Sequence, residues 1–257
     1  MSLVFEAGIT PGMSTREVVD LACLAEQVGF DRLGISDVVF WPDCYALMAL
    51  ISQRTERIML GPMVTNPYSR HPAVLAGAMA TLQDASGGRM FLGIGVGAGL
   101  EQLGMTYQRP VRTLREAIGA ITGLLRGDTV TLHGETIMVD AARLVGPVAP
   151  VPISIGTRSP QVVRRACVLA CSALVGARSI DAELAAQYRA WLAEGATRAG
   201  RDPAAIDVAP RLTLCISRDG DLARRSMKRY AAHYAAIIRS PDLQARDRGE
   251  WIAAVGE

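Results

Sequence analysis

Short apolar segments alternate with amphipathic segments along most of the chain, and this alternation limits the fold more than any other feature. Leu3–Ile9 predicts a strand, and Ser14 with Glu17 forms the capping-box pattern that starts the helix after it. Leu33–Ser36 and Arg57–Val64 predict further strands that are largely apolar on both faces, as parallel strands between helices are. Without hairpin signals between these units, the repetition predicts parallel strands joined by right-handed helical crossovers.

Seven such β-α units can be counted over the 257 residues, with a small hairpin excursion around His133. One eight-stranded β/α barrel needs about 250 residues. We therefore expect an α/β protein with the (β/α)8 TIM-barrel fold, forming a single domain over residues 1–257. The eighth strand has no clear signal, so either Ile252–Val255 supplies a short strand or the final β-α unit is missing.

The charge balance and the cysteine pattern argue against several classes of partner. The chain has 27 Lys and Arg against 25 Asp and Glu, interspersed without a basic stripe, so we expect no nucleic-acid partner. No apolar run is long enough for a transmembrane helix, and residues 1–10 lack the basic region of a signal peptide. Five scattered cysteines indicate reduced thiols and a cytoplasmic location; Cys167 and Cys171 lack the nearby ligands that a metal site needs.

Barrel enzymes carry their functional groups in the loops that follow the strands, and the first notable loop is Gly61–Pro72. Its prolines fix the backbone between a strand and a helix. Thr65 and Asn66 in this loop offer polar atoms to the barrel mouth. The alternative interpretation is a stiff connector that caps the next helix.

Two further loops have the composition of ligand sites. Glycines recur through Gly93–Gly99, which lets a backbone approach a planar or phosphate-bearing ligand closely, although the run lacks the dinucleotide-binding spacing. The segment Gly156–Pro160 lies where a strand gives way to a helix, and its free N–H groups and polar side chains predict a phosphate site. The alternative there is an ordinary serine N-cap followed by proline.

Two acidic residues, Glu6 and Asp37, are further candidate functional groups. Glu6 is predicted on or just after the first strand, where an isolated carboxyl near a barrel interior has a raised pKa and can donate a proton. The alternative for Glu6 is a solvated or salt-bridged strand end. Asp37 follows the second strand as a helix cap or a structural anchor. None of the three histidines forms a triad pattern with serine or cysteine.

Eight segments follow one another in an order that is specific for one superfamily: Leu24–Asp31, Ile35–Asp37, Leu60–Tyr68, Arg70–Ala73, Thr81–Asp84, Ser86–Arg89, Leu92–Gly95 and Arg109–Ile118. By these segments the chain resembles the luciferase-like monooxygenase superfamily over nearly its whole length. It is most similar to the branch that uses the deazaflavin coenzyme F420 and contains the methylenetetrahydromethanopterin reductases. The chain differs from the family pattern at Val38, where histidine is usual, and at Ala98, where the reductases carry an acid.

The resemblance implies a cofactor ring that lies across the barrel mouth against the third strand. A non-prolyl cis peptide bond between Met63 and Val64 would support the ring, and Thr65 and Asn66 would hydrogen-bond it. The cofactor phosphate would lie at the Gly156–Pro160 junction. The predicted cofactor-binding residues are Asp37, Met63, Val64, Thr65, Asn66, Gly95, Gly97, Gly156, Thr157 and Arg158.

The resemblance also implies hydride transfer between F420 and a small organic substrate, with a carboxylate as proton relay. Glu6 is the first candidate for this catalytic role, and Glu101, three residues after Ala98, is the second. An FMN-dependent monooxygenase of the same superfamily and a barrel without catalytic activity are the alternatives. Relatives of this kind imply a homodimer, for which the open edge of an incomplete barrel is an independent reason.

Overall fold

The computed structural model of the chain describes residues 3–97, 99–157, 159–169, 172–175 and 182–228. The chain divides into two compact units, residues 1–211 and residues 212–257. In the second unit a helix covers residues 220–228, and the Asp219 carboxylate accepts hydrogen bonds from the N–H groups of Asp221 and Leu222 at its start. The eighth strand considered at Ile252–Val255 lies outside the described residues. The single domain expected over residues 1–257 stays a prediction.

Within the described residues of the first unit, seven parallel strands follow one another around the barrel in chain order, as the alternation predicts. Two isolated bridges join the third strand to the fourth, and continuous parallel pairing joins the others. These barrel strands are β1 Glu6–Ile9, β2 Arg32–Ile35, β3 Met59–Pro62, β4 Leu92–Ile94, β7 Ile153–Thr157, β8 Ser172–Val175 and β9 Asp207–Pro210.

Helices cover the outside of the strands and begin where the sequence supplies caps. Ser14 and Glu17 form the predicted capping box at the start of the first helix, and Asp43 caps the second helix by accepting from two N–H groups. The described residues place the helices at α1 Thr15–Gln27, α2 Cys44–Ser52, α3 Pro72–Ala85, α4 Pro110–Leu125, α5 Pro160–Leu169 and α6 Ala182–Arg198. Apolar side chains of the barrel strands and helices form the main buried core, in which Leu33, Leu60 and Leu92 are fully buried.

The predicted excursion is an antiparallel hairpin of β5 Val130–His133 and β6 Met138–Ala142. The Glu116 carboxylate on α4 anchors it, accepting hydrogen bonds from the N–H groups of Thr136 and Ile137 at 3.0 and 3.1 Å. Burial opposes ionisation of Glu116, but these hydrogen bonds outweigh it and lower the pKa of the carboxyl. The hairpin therefore has a fixed position over α4, beside the loop that follows β4.

Neither a membrane-spanning helix nor a metal-binding cluster is present among the residues that the structure describes. None of its helices combines the length and the apolar character that crossing a bilayer requires. It also holds no group of three His, Cys, Asp or Glu side chains arranged to bind a metal ion.

Candidate cofactor and substrate site

Strands β3 and β4 meet through a bulge at the carboxyl end of the barrel. The bridges on either side of it, Leu60 to Met90 and Thr65 to Ile94, leave one more residue on β3 than on β4. Inside this bulge, the peptide bond that joins Val64 to the residue before it is cis. The cis bond expected at this position is therefore confirmed.

Met63 and Val64 both lie against glycines of the barrel strands, although successive side chains of a regular strand point to opposite faces. A Cβ atom on Gly34 would be 2.5 Å from the Met63 Cβ atom, and one on Gly156 would be 2.7 Å from the Val64 Cγ1 atom. Carbon atoms in proteins pack at about 3.5–4.0 Å, so these glycines leave the room that the two side chains fill. Met63 is buried and Val64 is half-buried, which leaves part of the Val64 isopropyl group at the surface of the mouth.

Asn66 is only 2% exposed, yet its side-chain N–H2 group has no hydrogen-bond partner among the described residues. Its Oδ1 atom accepts hydrogen bonds from the N–H groups of Tyr68 at 3.0 Å and Ser69 at 2.8 Å, which fixes the orientation of the amide. No described residue accepts a hydrogen bond from the Nδ2 atom. A Cβ atom on Gly97, whose φ is 82°, would be 3.2 Å from Nδ2. A buried donor without a partner is rare, and this one lies where glycine keeps the backbone close.

A buried chain of hydroxyl groups connects Asp37 to the bulge. The Thr65 hydroxyl donates to the Asp37 carboxylate at 2.6 Å and accepts from the Tyr45 phenol at 2.9 Å. Burial raises the pKa of Tyr45 well above its ordinary value, so the phenol keeps its proton, and the Arg70 guanidinium lies 4.5 Å from the ring centre. The Thr65 hydroxyl therefore already donates its hydrogen bond to Asp37 and has no second proton to donate to a cofactor. Direct contacts of Thr65 and Asp37 with a cofactor stay predictions.

The strand-to-helix junction after β7 has the predicted polar groups. Thr157 ends β7, Pro160 starts α5, and the Ser159 N–H donates to the Thr157 hydroxyl at 3.0 Å. The unpaired N–H groups at the start of a helix favour an anion. Arg158 lies outside the described residues, and the phosphate-binding role of this junction stays a prediction.

Glu6 lies at the opposite end of the barrel from these residues. It is the first residue of β1 and pairs with Arg32, the first residue of β2, whereas Thr10 directly follows the mouth end of β1. Four residues of strand, about 13 Å, separate Glu6 from Thr10. Glu6 thus lies on the first strand as predicted, but at its amino-terminal end, because pairing with β2 begins at Glu6. Its catalytic role stays a prediction.

Charged side chains cluster at this amino-terminal end. The Arg32 Nη1 atom is 3.1 Å from the Asp207 Oδ2 atom at the start of β9. Burial raises the pKa of Glu6, the positive charges of Arg32 and Arg211 oppose that shift, and the negative charge of Asp207 adds to it. In TIM barrels the amino-terminal face serves stability, and this cluster has that character.

Glu101 belongs to a 3-10 turn, Leu100–Leu103, in the loop between β4 and α4. Its side chain is exposed and lies beside the phenol of Tyr107. Burial and the charge of Glu101 raise the pKa of Tyr107 above its ordinary value, so the phenol stays protonated at neutral pH. The catalytic role of Glu101 stays a prediction, and the structure does place it on the loop that also carries Gly97.

A cavity of about 470 Å³ opens beside the Asn66 loop. Its walls come from the loop after β3, the loop after β4, α4 and the tip of the hairpin. The residues that line this cavity include Pro67, Tyr68, Met105, Gln108, Thr113 and Ile137. The Tyr68 hydroxyl donates to the Gln108 carbonyl at 3.0 Å, and the Tyr68 and Tyr107 rings meet edge to face with centres 5.9 Å apart.

Sequence reasoning missed three tyrosines of this region. Tyr68 stands in the motif Thr65–Tyr68, so its position was visible, but its contact with Tyr107 joins two loops far apart in the chain. Tyr45 lies on α2, and only the packing of that helix against β3 brings its phenol to Thr65. No local pattern in the sequence marks such a contact.

Comparisons with known proteins agree with this arrangement. The model of the luciferase-like monooxygenase family matches residues 2–254. The chain is 33% identical over 250 residues to a 5,10-methylenetetrahydromethanopterin reductase of Methanolobus tindarius, covering 96% of this chain and 75% of the relative. It is 30% identical over 244 residues to an F420-dependent glucose-6-phosphate dehydrogenase of Nakamurella multipartita, covering 89% and 71%. The solved coenzyme F420-dependent tetrahydromethanopterin reductase of Methanopyrus kandleri superimposes with a TM-score of 0.86 at 26% identity, covering 100% of this chain and 83% of that one.

Proposed function

Because the chain belongs to the luciferase-like monooxygenase family, we propose that it is an oxidoreductase that binds coenzyme F420 at the carboxyl end of its barrel. The observation that carries the proposal is the Asn66 Nδ2 atom, a buried donor without a partner among the described residues, next to the glycine backbone at Gly97. Relatives that carry F420 in their names match both the sequence and the fold, which favours this coenzyme over FMN.

The residues of the mouth fit a flat cofactor ring with polar edges. Val64 and Met63 would offer an apolar surface and exclude water from beneath the ring, while the absence of side chains at Gly95 and Gly97 lets Val64, Gly156 and Asn66 pack closely around the site. Asn66 would donate a hydrogen bond to an edge of the ring. When bound, the deazaflavin supplies the carbon centre that gives or takes a hydride.

The phosphate of the cofactor would lie at the start of α5. Gly156 and Thr157 end β7 there, and the N–H groups of the first turn favour a negative charge. Arg158, outside the described residues, would add a guanidinium to that set. Asp37 would act indirectly, because its carboxylate holds the Thr65 hydroxyl in place behind the ring site.

Glu101 would hold and move the proton that accompanies hydride transfer. Its carboxylate is exposed on the loop after β4 and lies beside Tyr107, whose raised pKa keeps a proton close to the carboxylate. Glu6 has no part in this proposal, since it lies at the other end of the strands.

Fluorescence titration with oxidised F420 tests the proposal directly. We expect saturable binding in the micromolar range, and a rise in melting temperature that grows with RT ln(1 + [L]/Kd), about 2.7 kcal/mol of added stability at 100 times Kd. Absence of binding at tens of micromolar, or purification of a yellow protein with tightly bound FMN, would contradict it.

The proposed quaternary structure rests on the exposed face of α1. Leu21, Leu24 and Val28 are 41%, 50% and 64% exposed and fall on one side of α1, an apolar stripe that favours association into a homodimer. Sedimentation equilibrium would give twice the chain mass for the wild type, and Leu24→Glu would give a monomer. A cytoplasmic location stays a prediction that rests on the scattered cysteines.

A further inference from the structure

We infer that Tyr45 is a positioning residue for the proposed cofactor site, although it belongs to α2 and not to a loop of the barrel mouth. Its phenol ties the loop that carries Asn66 to α2, and it thereby holds the Asn66 amide where a cofactor ring would meet it. The inference rests on the proposed function, because it concerns how that same site is kept in shape. It adds a residue that acts on the site only through Thr65.

The free donor of Asn66 depends on the loop around it for its position. This loop, residues 63–71, joins β3 to α3. The Asn66 Oδ1 atom accepts from the N–H groups of Tyr68 and Ser69, which belong to the same turn. Because both contacts lie within the turn, they orient the amide but do not hold the turn against the barrel. The position of the Nδ2 atom therefore depends on the contacts between this loop and its neighbours.

Helix α2 holds the loop at two points, one on each side of Asn66. Before Asn66, the Thr65 hydroxyl accepts from the Tyr45 phenol at 2.9 Å. After it, the Arg70 guanidinium forms an ion pair with the Asp43 carboxylate and lies 4.5 Å from the centre of the Tyr45 ring. Asp43 is the N-cap residue of α2 and Tyr45 is its second residue. Both contacts thus come from the first turn of one helix.

The contact from Tyr45 is the more specific of the two. Thr65 is fully buried and Tyr45 is 7% exposed, so water cannot readily replace either partner. The single proton of the Thr65 hydroxyl is donated to Asp37, so the Thr65 oxygen can only accept from Tyr45. Burial raises the pKa of Tyr45 well above its ordinary value, which keeps the donated proton on the phenol. The ion pair of Arg70 is partly exposed and therefore weaker.

Amide hydrogen exchange in the protein without cofactor tests the inference first. Tyr45→Phe removes the phenol oxygen and keeps the ring beside Arg70. We expect the N–H groups of Tyr68 and Ser69 to exchange about three- to tenfold faster in this variant, because the turn opens more easily when one hydrogen bond is lost. Exchange rates equal to those of the wild type would overturn the inference.

Thr55→Val is the matched control, because it removes another buried hydroxyl beyond the other end of α2. The Thr55 hydroxyl donates to the Ile51 carbonyl at 2.9 Å. We expect both Tyr45→Phe and Thr55→Val to lower the melting temperature by about 2–4 °C. Only Tyr45→Phe should accelerate exchange at Tyr68 and Ser69; equal acceleration in the control would reduce the role of Tyr45 to general stability and overturn the inference.

A double-mutant cycle of F420 affinity then tests whether Tyr45 acts through Asn66. Tyr45→Phe should raise the Kd about three- to tenfold in the wild-type background. In an Asn66→Asp background, which lacks the donor that Tyr45 holds in place, it should raise the Kd less than about twofold. An equal rise in both backgrounds would overturn the inference.

The two measurements separate the inference from the proposed function. A wild type that does not bind F420 contradicts the proposed function, whereas faster exchange in Tyr45→Phe would still show that Tyr45 holds the turn around Asn66. Normal F420 binding by the wild type with an unchanged Kd for Tyr45→Phe would leave the proposed function intact and contradict the role of Tyr45 alone.

Discussion

The two ends of the barrel are built from the same strands but use their polar groups in opposite ways. At the amino-terminal end, Arg32 on β2 forms an ion pair with Asp207 on β9, and its positive charge also acts on the half-buried Glu6 of β1. At the carboxyl-terminal end, glycines bring the backbone close, and the Asn66 amide keeps a buried donor without a partner in the described chain. Polar groups that satisfy one another stabilise a fold, whereas an unsatisfied donor in a cleft indicates a ligand. The comparison therefore supports the proposal that the carboxyl-terminal end binds the cofactor, while the charges at the amino-terminal end contribute to stability.

Of the substitutions that test the difference between the two ends, Gly95→Ala is expected to have the largest effect on stability and F420 binding. The added Cβ atom would lie 2.8 Å from the carbonyl oxygen of Gly156 and 2.9 Å from Val64 Cγ2, so the mouth must shift. We expect a loss of about 1–3 kcal/mol of unfolding free energy and loss of measurable F420 binding. Chemical denaturation and fluorescence titration measure the two effects.

Gly119→Ala is the matched control for that substitution. Gly119 is exposed within α4, and nothing lies within 4 Å of an added Cβ atom. Alanine there should raise the stability by about 0.5–1 kcal/mol and leave F420 binding unchanged. If Gly95→Ala behaved like this control, the close packing of the mouth would have no importance for the site.

A smaller effect is expected from Arg32→Ala at the other end. The substitution removes the partner of Asp207 and the positive charge beside the half-buried Glu6. Both groups keep partial access to water, so we expect a loss of only about 1 kcal/mol in urea denaturation. The F420 affinity should not change; a tenfold weaker affinity would mean that the two ends are not separate in function.

The smallest expected effect concerns pH. The unfolding free energy of the wild type should depend on pH through Glu6, and Glu6→Gln should remove that dependence. The folded state raises the pKa of Glu6, so it holds the proton more tightly than the unfolded state does. The stability of the wild type should then fall, relative to Glu6→Gln, as the pH rises through the ordinary glutamate pKa, and the difference should level off above the raised value. Denaturation curves from pH 4 to pH 8 measure it, and a difference that instead shrank with rising pH would contradict a raised pKa.

Local patterns predicted the parts of the fold that depend on local interactions. Ser14 and Glu17 form their capping box within four residues, and the alternation of strands and helices follows from apolar spacing. The resemblance also placed the cis bond before Val64 correctly. These features require no knowledge of which distant residues meet.

The parts that the sequence could not supply depend on distant contacts. The position of Glu6 follows from Phe5, whose carbonyl oxygen accepts from Asp31 N–H and whose N–H donates to the Asp31 carboxylate, so that pairing with β2 starts one residue later. The Tyr45 phenol reaches Thr65 only through helix packing. An apolar run cannot reveal at which residue its pairing with another strand begins.

The F420 affinity of Asn66→Asp, measured beside that of Glu6→Gln, tests the central claim most directly. Aspartate keeps the oxygen that accepts from the Tyr68 and Ser69 N–H groups but replaces the unpartnered donor with an acceptor. We predict at least a tenfold higher Kd for Asn66→Asp, because losing the donor and placing an acceptor in its position costs about 1.5–3 kcal/mol of binding free energy. We predict an unchanged Kd for Glu6→Gln. Equal affinity of Asn66→Asp and wild type, or a loss of affinity in Glu6→Gln alone, would contradict the assignment of cofactor binding to the carboxyl end of the barrel.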